Sequence, residues 1–421
     1  MKRAFLNAQL PDGRGGLLID GDIILAVGKD VTAGNVAGAE VQDCAGLMIL
    51  PGVIDMRVFT GEPGSEYRET LASASEAAAA GGVTTMITMP NTAPVIDDAA
   101  MVDFILRRAR DTAKVRVAPM AAITLGARGE AMAELALMKE AGAVAVTDGV
   151  RSVGNAALLR RAMVYAHDHD ILVVQHVEEP TLSGGVMNVG ERASRLGLTG
   201  SYALAEVMLL ERDIRLVEMT GCRYHAAQIS CAESVEVMRR AKDRGLAVSC
   251  GVSINHLSLN ESDVGAYRTF FKLSPSLRTE EDRLALVAGV AEGVIDVIVS
   301  GHDPQSEDTK RLPFAEAAFG AVGLETLLPV SLARYHNRDI SLPDLVKALC
   351  EAPARLLGLA QGRLVKGAPA DFVVLDPHLN WKVEPANLHS RSKNSPYEHT
   401  TLEGRATQTW VAGKQIYSYA H

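Results

Sequence analysis

Between about residues 51 and 355, short runs of apolar and β-branched residues alternate with stretches of helical period. The runs are GVIDMRVF (52–59), VTTMITM (83–89), VRVAPMAAI (115–123), AVAVTDG (143–149), ILVVQHVE (171–178), RYHAAQIS (223–230), LAVSCGVS (246–253) and VIDVIVSGH (294–302). Runs this short and this rich in Val and Ile read as buried strands of a parallel sheet. Between them, segments such as NAALLRRAMVYAHDHD and AESVEVMRRAKDRG read as helices. The second is expected to open on a capping box, Ser230 with Glu233, and to stop at Gly245. Eight strands, each followed by a helix, predict an α/β fold of the (β/α)8 TIM type over residues 51–355.

The two ends follow a different pattern. GGLLIDGDIILAVGKDV and AEVQDCAGLMILPG near the start, and GRLVKGAPADFVVLDP and LEGRATQTWVAGKQIYSY near the end, are strand runs broken by Gly turns. Chain ends often lie together, so residues 1–50 and 356–421 are expected to form one small β-sandwich domain.

Composition narrows the function classes. The 421 residues are 48% hydrophobic and 22% charged, as in an ordinary globular protein. A net charge of -9 argues against nucleic acid as a partner. No apolar run is long enough for a membrane helix, and the N-terminus has no apolar stretch of the signal-peptide kind. The five cysteines are odd in number and scattered, which suits free thiols in a reducing cytoplasm.

In a barrel of this type the chemistry sits at the C-terminal ends of the strands. Those ends carry Arg57, Phe59 and Gly61, then Asp148, His176, His225, Gln228, Gly301 and His302. A hydrolytic two-zinc site needs several imidazoles, a bridging carboxylate and a carboxylate base. Here the imidazoles are few, and the last strand ends on Gly301 and His302 with no carboxylate at either.

The stretch ILPGVIDMRVFTGEPGSEYRETLASASEAAAAGGVTTMITMPNTAPVID, followed by ISCAESVEVMRRAKDRGLAVSCGVS, SPSLRTEEDRLAL and VSGHDPQSEDTK, resembles the dihydroorotases of the amidohydrolase superfamily in order and spacing. The resemblance runs from the opening Asp-Gly turns to the closing VAGKQIY. It implies a His-x-His metal pair at Arg57 and Phe59, and a substrate-holding arginine at Gly61. It also implies a metal histidine at Gln228, a ligand and base at Gly301, a substrate-facing histidine at Gln305 and an asparagine at Ser274. Only His176, Asn91 of MPNT and Asp148 keep the family's residue types, and an ungapped register puts Gly149 rather than Asp148 at the bridging position. Gln offers a neutral amide, Phe and Gly offer nothing, and Arg57 adds a positive charge where a cation would bind.

Each remaining residue also has a plain reading. His176 on a buried strand is a core histidine until partners are found for it, and His225 is expected to be structural. His167 and His169 fall on a solvated helix tail. Asp148, Asn91, Arg57 and His302 are the candidates for a substrate pocket, with Arg57 placed to neutralise Asp148. The Gly-rich 184–200 follows no strand and is not read as a phosphate loop.

Three readings follow. In the first, the chain is a catalytically silent dihydroorotase homologue without zinc. The resemblance then implies a homodimer assembling with aspartate transcarbamoylase in pyrimidine biosynthesis. In the second, it is a working dihydroorotase or related cyclic amidohydrolase, with zinc on a reduced set drawn from His176, Asp148 and His302. In the third, it is a metal-free binding protein holding a small anion on Arg57 and Asn91.

Overall fold

The computed structural model describes residues 1–419. The barrel is built from parallel strands Val53–Val58, Val83–Thr88, Arg116–Pro119, Val173–Gln175, Tyr224–Ala226, Val248–Ser253 and Val297–Val299. The fourth position, predicted as a strand over 143–149, is irregular. Only Val146 forms bridges, to Ala121 on one side and Val173 on the other. Backbone bonds still run both ways, from Thr147 N to Ala121 O (2.8 Å) and from Val146 N to Leu172 O (3.0 Å). The ring closes where Val58 bridges His302, with Phe59 N donating to His302 O at 2.9 Å.

Helices Leu71–Ala80, Ala99–Thr112, Leu135–Glu140, Ala156–Asp168, Ala203–Thr220, Ala232–Asp243, Glu280–Ala291 and Leu327–His336 follow the eight strands in turn. The period of two is visible in the packing. Ile87 and Met89, Leu172 and Val174, and Val297 and Val299 share one cluster, whereas Met86, Val173 and Ile298 join the larger cluster that includes the helices. Continuing the first rows by two residues reaches Asn91, His176 and Gly301, which places the site at the strand ends.

One capping expectation is corrected. Helix Ala232–Asp243 is capped at Cys231, without a side-chain bond. Ser230 is instead tied to Glu206, whose Oε1 accepts from Ser230 N at 2.8 Å. The carboxylate of Asp282, from the next helix, accepts the free Ala232 N–H at 2.9 Å. A tertiary carboxylate has replaced the local cap.

The chain ends meet in one eight-stranded sheet. Its order is Lys414–Ser418, Thr401–Val411, Phe372–Lys382, Met48–Pro51, Lys2–Leu10, Gly13–Asp20 and Ile23–Gly28, with Glu40–Asp43 also on Lys2–Leu10. The junction is antiparallel, Pro51 opposite Phe372 and Met48 opposite Leu375. Phe372 and Trp410 stack at its centre with centroids 5.5 Å apart, and Phe5 meets both edge-on at 5.0 and 5.2 Å. The fold is therefore a (β/α)8 barrel with a β-sandwich domain made by both termini.

The segment between the last long strands does not stay with that sheet. Asn394 Nδ2 donates to Gly320 O (3.0 Å) and Ser392 Oγ to Arg68 O (2.8 Å), so residues 390–394 lie on the barrel loops. Among the described residues no helix is long and apolar enough to cross a membrane. All five cysteines are buried and free.

Candidate active site

A cavity of about 420 Å³ opens at the strand ends, lined among others by Arg57, Phe59, Asn91, Gln228 and Gly301. Arg57 is 4% exposed and its guanidinium lies 5.3 Å from the Phe59 ring centroid. Burial pulls its pKa down to about 10, against the pull of the Asp303 and Asp55 charges. Its Nη1 has no hydrogen-bond partner in the protein. Asp55 lies under it, with Oδ1 accepting from Arg57 N and Ser300 N, both at 3.2 Å. Burial raises Asp55 to about 6.

Gly301 has φ of +64°, and a Cβ there would lie 3.0 Å from Ser253 Oγ and 3.3 Å from Gln228 Nε2. Gln228 and Ser253 thus border the space a side chain at 301 would enter. Gln228 is buried, and its Oε1 has no partner. Asn91 sits over Gly149, where an added Cβ would come within 2.9 Å of its Oδ1.

Two expected pocket residues are not in the pocket. Asp148 is buried and turned away, its carboxylate accepting from Thr124 N (2.9 Å) and Thr124 Oγ1 (2.5 Å). Burial raises its pKa, the Thr124 bonds oppose that, and the arginine that acts on it is Arg151. The expected Arg57–Asp148 pairing is therefore replaced by the charges of Asp303 and Asp55 around Arg57. His302 is also off the mouth. Its Nδ1 accepts from Gly323 N at 3.2 Å, which leaves the proton on Nε2, 3.5 Å from Glu69 Oε2. It lines a small separate cavity with Glu325 and Ser390.

His176 is buried, with Nε2 3.4 Å from Glu178 Oε2 and Nδ1 unpartnered. His225 bonds to Ser249 Oγ at 2.8 Å, and burial holds its pKa at about 4, in keeping with a structural role.

Other residues around the mouth were not expected from the sequence. Asp303 accepts from Arg68 Nη2 (2.7 Å) and Gln305 Nε2 (2.9 Å), and burial raises its pKa while Arg68 and Arg57 oppose that. His256 donates from Nε2 to Pro275 O at 3.1 Å, so its unpartnered Nδ1 is an acceptor, and burial, then Arg278, keep its pKa at about 4. His256 lies beyond the strand that ends at Ser253, in helix Ile254–Ser258, and strand-end reasoning stops short of it. Asp303 could have been noticed as a carboxylate two residues beyond Gly301.

Residues 46–234 match the family described as Dihydro-orotase-like, and 296–417 match the Amidohydrolase family. A dihydroorotase of Pelobacter propionicus is 41% identical over 402 residues, covering 95% of this chain and 94% of its own length. One from Desulfotalea psychrophila is 45% identical over 376 residues, 89% of each chain. The chain belongs to the dihydroorotase family. Among solved structures, L-hydantoinase from Arthrobacter aurescens superposes with a TM-score of 0.90 at 25% identity, covering 99% of this chain and 96% of its own.

The dihydroorotase frame is intact, and the positions that the resemblance marks for zinc can be tested directly. Those positions present a buried guanidinium, a phenyl ring, an amide and a glycine. His176, Asp148 and His302 bond to three different partners and are not gathered. Among the described residues, one His/Cys/Asp/Glu group has its ligand atoms within 4.8 Å of one another, and it is remote in kind: His336, His378 and Glu403, partly or fully exposed. Zinc does not fit the barrel mouth as this chain builds it.

Proposed function

We propose that this member of the dihydroorotase family is hydrolytically silent. On this reading it holds no barrel zinc and serves pyrimidine biosynthesis in the cytoplasm as a homodimeric assembly partner of aspartate transcarbamoylase. The observation that supports it most is Arg57, a buried cation in the cavity where a divalent cation would have to sit. Such a chain keeps the barrel as an architectural body while its acid–base and metal chemistry is gone. The partner is tested by mixing the purified chain with aspartate transcarbamoylase from the same organism and following both by size-exclusion chromatography. Co-elution at a fixed ratio is expected; separate peaks at every ratio would remove the assembly role.

The alternative, zinc-dependent hydrolysis of a cyclic amide, needs His176, Asp148 and His302 to converge, whereas each is bonded to a different partner.

A second reading is favoured by the unpartnered atoms of the cavity. Arg57 Nη1 is a free donor, and Gln228 Oε1 and His256 Nδ1 are free acceptors. Groups buried without partners are costly unless water or a ligand meets them. A small carboxylate bearing N–H groups would satisfy all three, with Arg57 gripping the carboxylate. Dihydroorotate or carbamoyl aspartate at millimolar concentration is expected to raise the melting temperature, and Arg57→Met is expected to remove that rise. No shift with either compound would rule this reading out.

A further inference from the structure

Far from the barrel mouth in chemistry, three side chains converge from three elements. His336 is the last residue of helix Leu327–His336. His378 and Glu403 come from the paired strands Phe372–Lys382 and Thr401–Val411. The pairing slips here: the four-residue step from Asp376 to Asn380 faces the two-residue step from Arg405 to Glu403. Such a bulge re-aims side chains, and His378 is thereby set against Glu403, Nδ1 to Oε1 at 2.9 Å.

The two imidazoles stack, with centroids 5.5 Å apart and planes at 17°. Glu403 Oε2 is 3.7 Å from His336 Nδ1, beyond hydrogen-bond reach. Neither ring nitrogen of His336 has a hydrogen-bond partner, although both are buried from solvent. The nearby cation is occupied elsewhere, since the Arg405 guanidinium lies 4.5 Å from the Trp381 ring and 4.0 Å from that of Tyr419.

We propose that His336, His378 and Glu403 bind one zinc ion that clips the helix to the strand hairpin. Two neutral imidazoles and one carboxylate are a known zinc donor set, leaving a fourth position for water. The negative end of the helix dipole, at His336, favours a cation there. One ligand atom from each residue already lies within 4.8 Å of the others. Tetrahedral zinc needs them at about 3.3 Å. The two side chains that must move, His378 at 75% exposed and Glu403 at 44%, are free to swing. The site belongs to the C-terminal hairpin and is independent of the barrel reading above.

The test is titration of EDTA-stripped, full-length protein with zinc chloride, by calorimetry and by melting temperature. One equivalent is expected to bind and to raise the melting temperature. Removing a ligand should cost at least what losing an outer-shell partner costs, so His378→Ala and Glu403→Gln are each expected to weaken binding by about tenfold or more. His176→Ala should leave the zinc affinity and stoichiometry unchanged. Zinc-free melts of each variant show whether it folds. No zinc binding by the parent chain, or binding unaffected by His378→Ala, would overturn the clip. Zinc retained in His378→Ala but lost in His176→Ala would overturn both the clip and the zinc-free barrel. No zinc binding anywhere would overturn the clip alone.

Discussion

With zinc in excess, the purified protein is expected to hydrolyse dihydroorotate at no more than about 10⁻⁴ of the rate of a zinc-replete dihydroorotase. Two losses combine. A general base contributes about 10²–10⁴-fold, and position 301, which would carry it, is Gly. The metal would supply both the nucleophile and charge stabilisation, and its positions hold Arg57, Phe59 and Gln228. On the silent reading either loss alone would leave a slow enzyme, and together they would leave no activated water. Restoring the carboxylate by Gly301→Asp is not expected to bring the rate back. The backbone there is left-handed, with φ of +64°, and Ser253 Oγ and Gln228 Nε2 stand 3.0 and 3.3 Å from the new Cβ. The assay requires protein made in a host without its own dihydroorotase, so that trace contamination cannot supply the rate. A clear rate abolished by His176→Ala would show a working rearranged site and end the silent reading.

The fold was legible because its signal is periodic and repeated. Eight Val- and Ile-rich runs between helices admit few architectures, and Gly turns at both ends marked the terminal sheet. Local chemistry was less legible where a tertiary partner decides the outcome. Ser230 had the pattern of a cap, but Glu206 claims it and Asp282 caps the helix instead. Asp148 and His302 stood at strand ends, yet Thr124 takes one and Gly323 with Glu69 orients the other. No spacing rule exposes Thr124 or Glu69 as partners, because they are 24 and 233 residues away in sequence from the groups they hold. Arg57 and Gln228 were found because they depart from an expected pattern. His256 and Asp303 were missed because nothing in the pattern calls for them.

Glu69→Ala is expected to destabilise the protein by about 3–5 kcal/mol, because it leaves several buried donors without their acceptor at about 1–3 kcal/mol each. Glu69 is fully buried in the loop after the first barrel strand. Its carboxylate accepts from Ser390 Oγ, Ser73 Oγ and Arg391 N, the last at 3.0 Å, and faces His302 Nε2. It therefore joins the barrel loop to residues 390–391, across 322 positions of sequence. Burial works to raise its pKa, but the donors around it, on His302, Ser390 and Ser73, outweigh that and hold it below the ordinary 4.5. A depressed carboxylate pKa contributes stability that is present above 4.5 and lost as the pH falls through the lower folded value. Glu69→Gln keeps the shape without the charge, so it is expected to cost less, about 1–3 kcal/mol at neutral pH. Its deficit should shrink below pH 4.5, where the unfolded-state carboxyl begins to gain its proton. Urea unfolding at both pH values measures the deficit, and hydrogen exchange at the Arg391 amide reports whether the C-terminal segment has come loose. A Glu69→Ala loss under about 1 kcal/mol, no more than one ordinary hydrogen bond, would mean that the segment is held by its other bonds, those of Asn394 and Ser392 and of Ser390 N to Glu325 among them. A Glu69→Gln deficit that does not change with pH would instead mean that the second acceptor oxygen, not the charge, is what the loop requires.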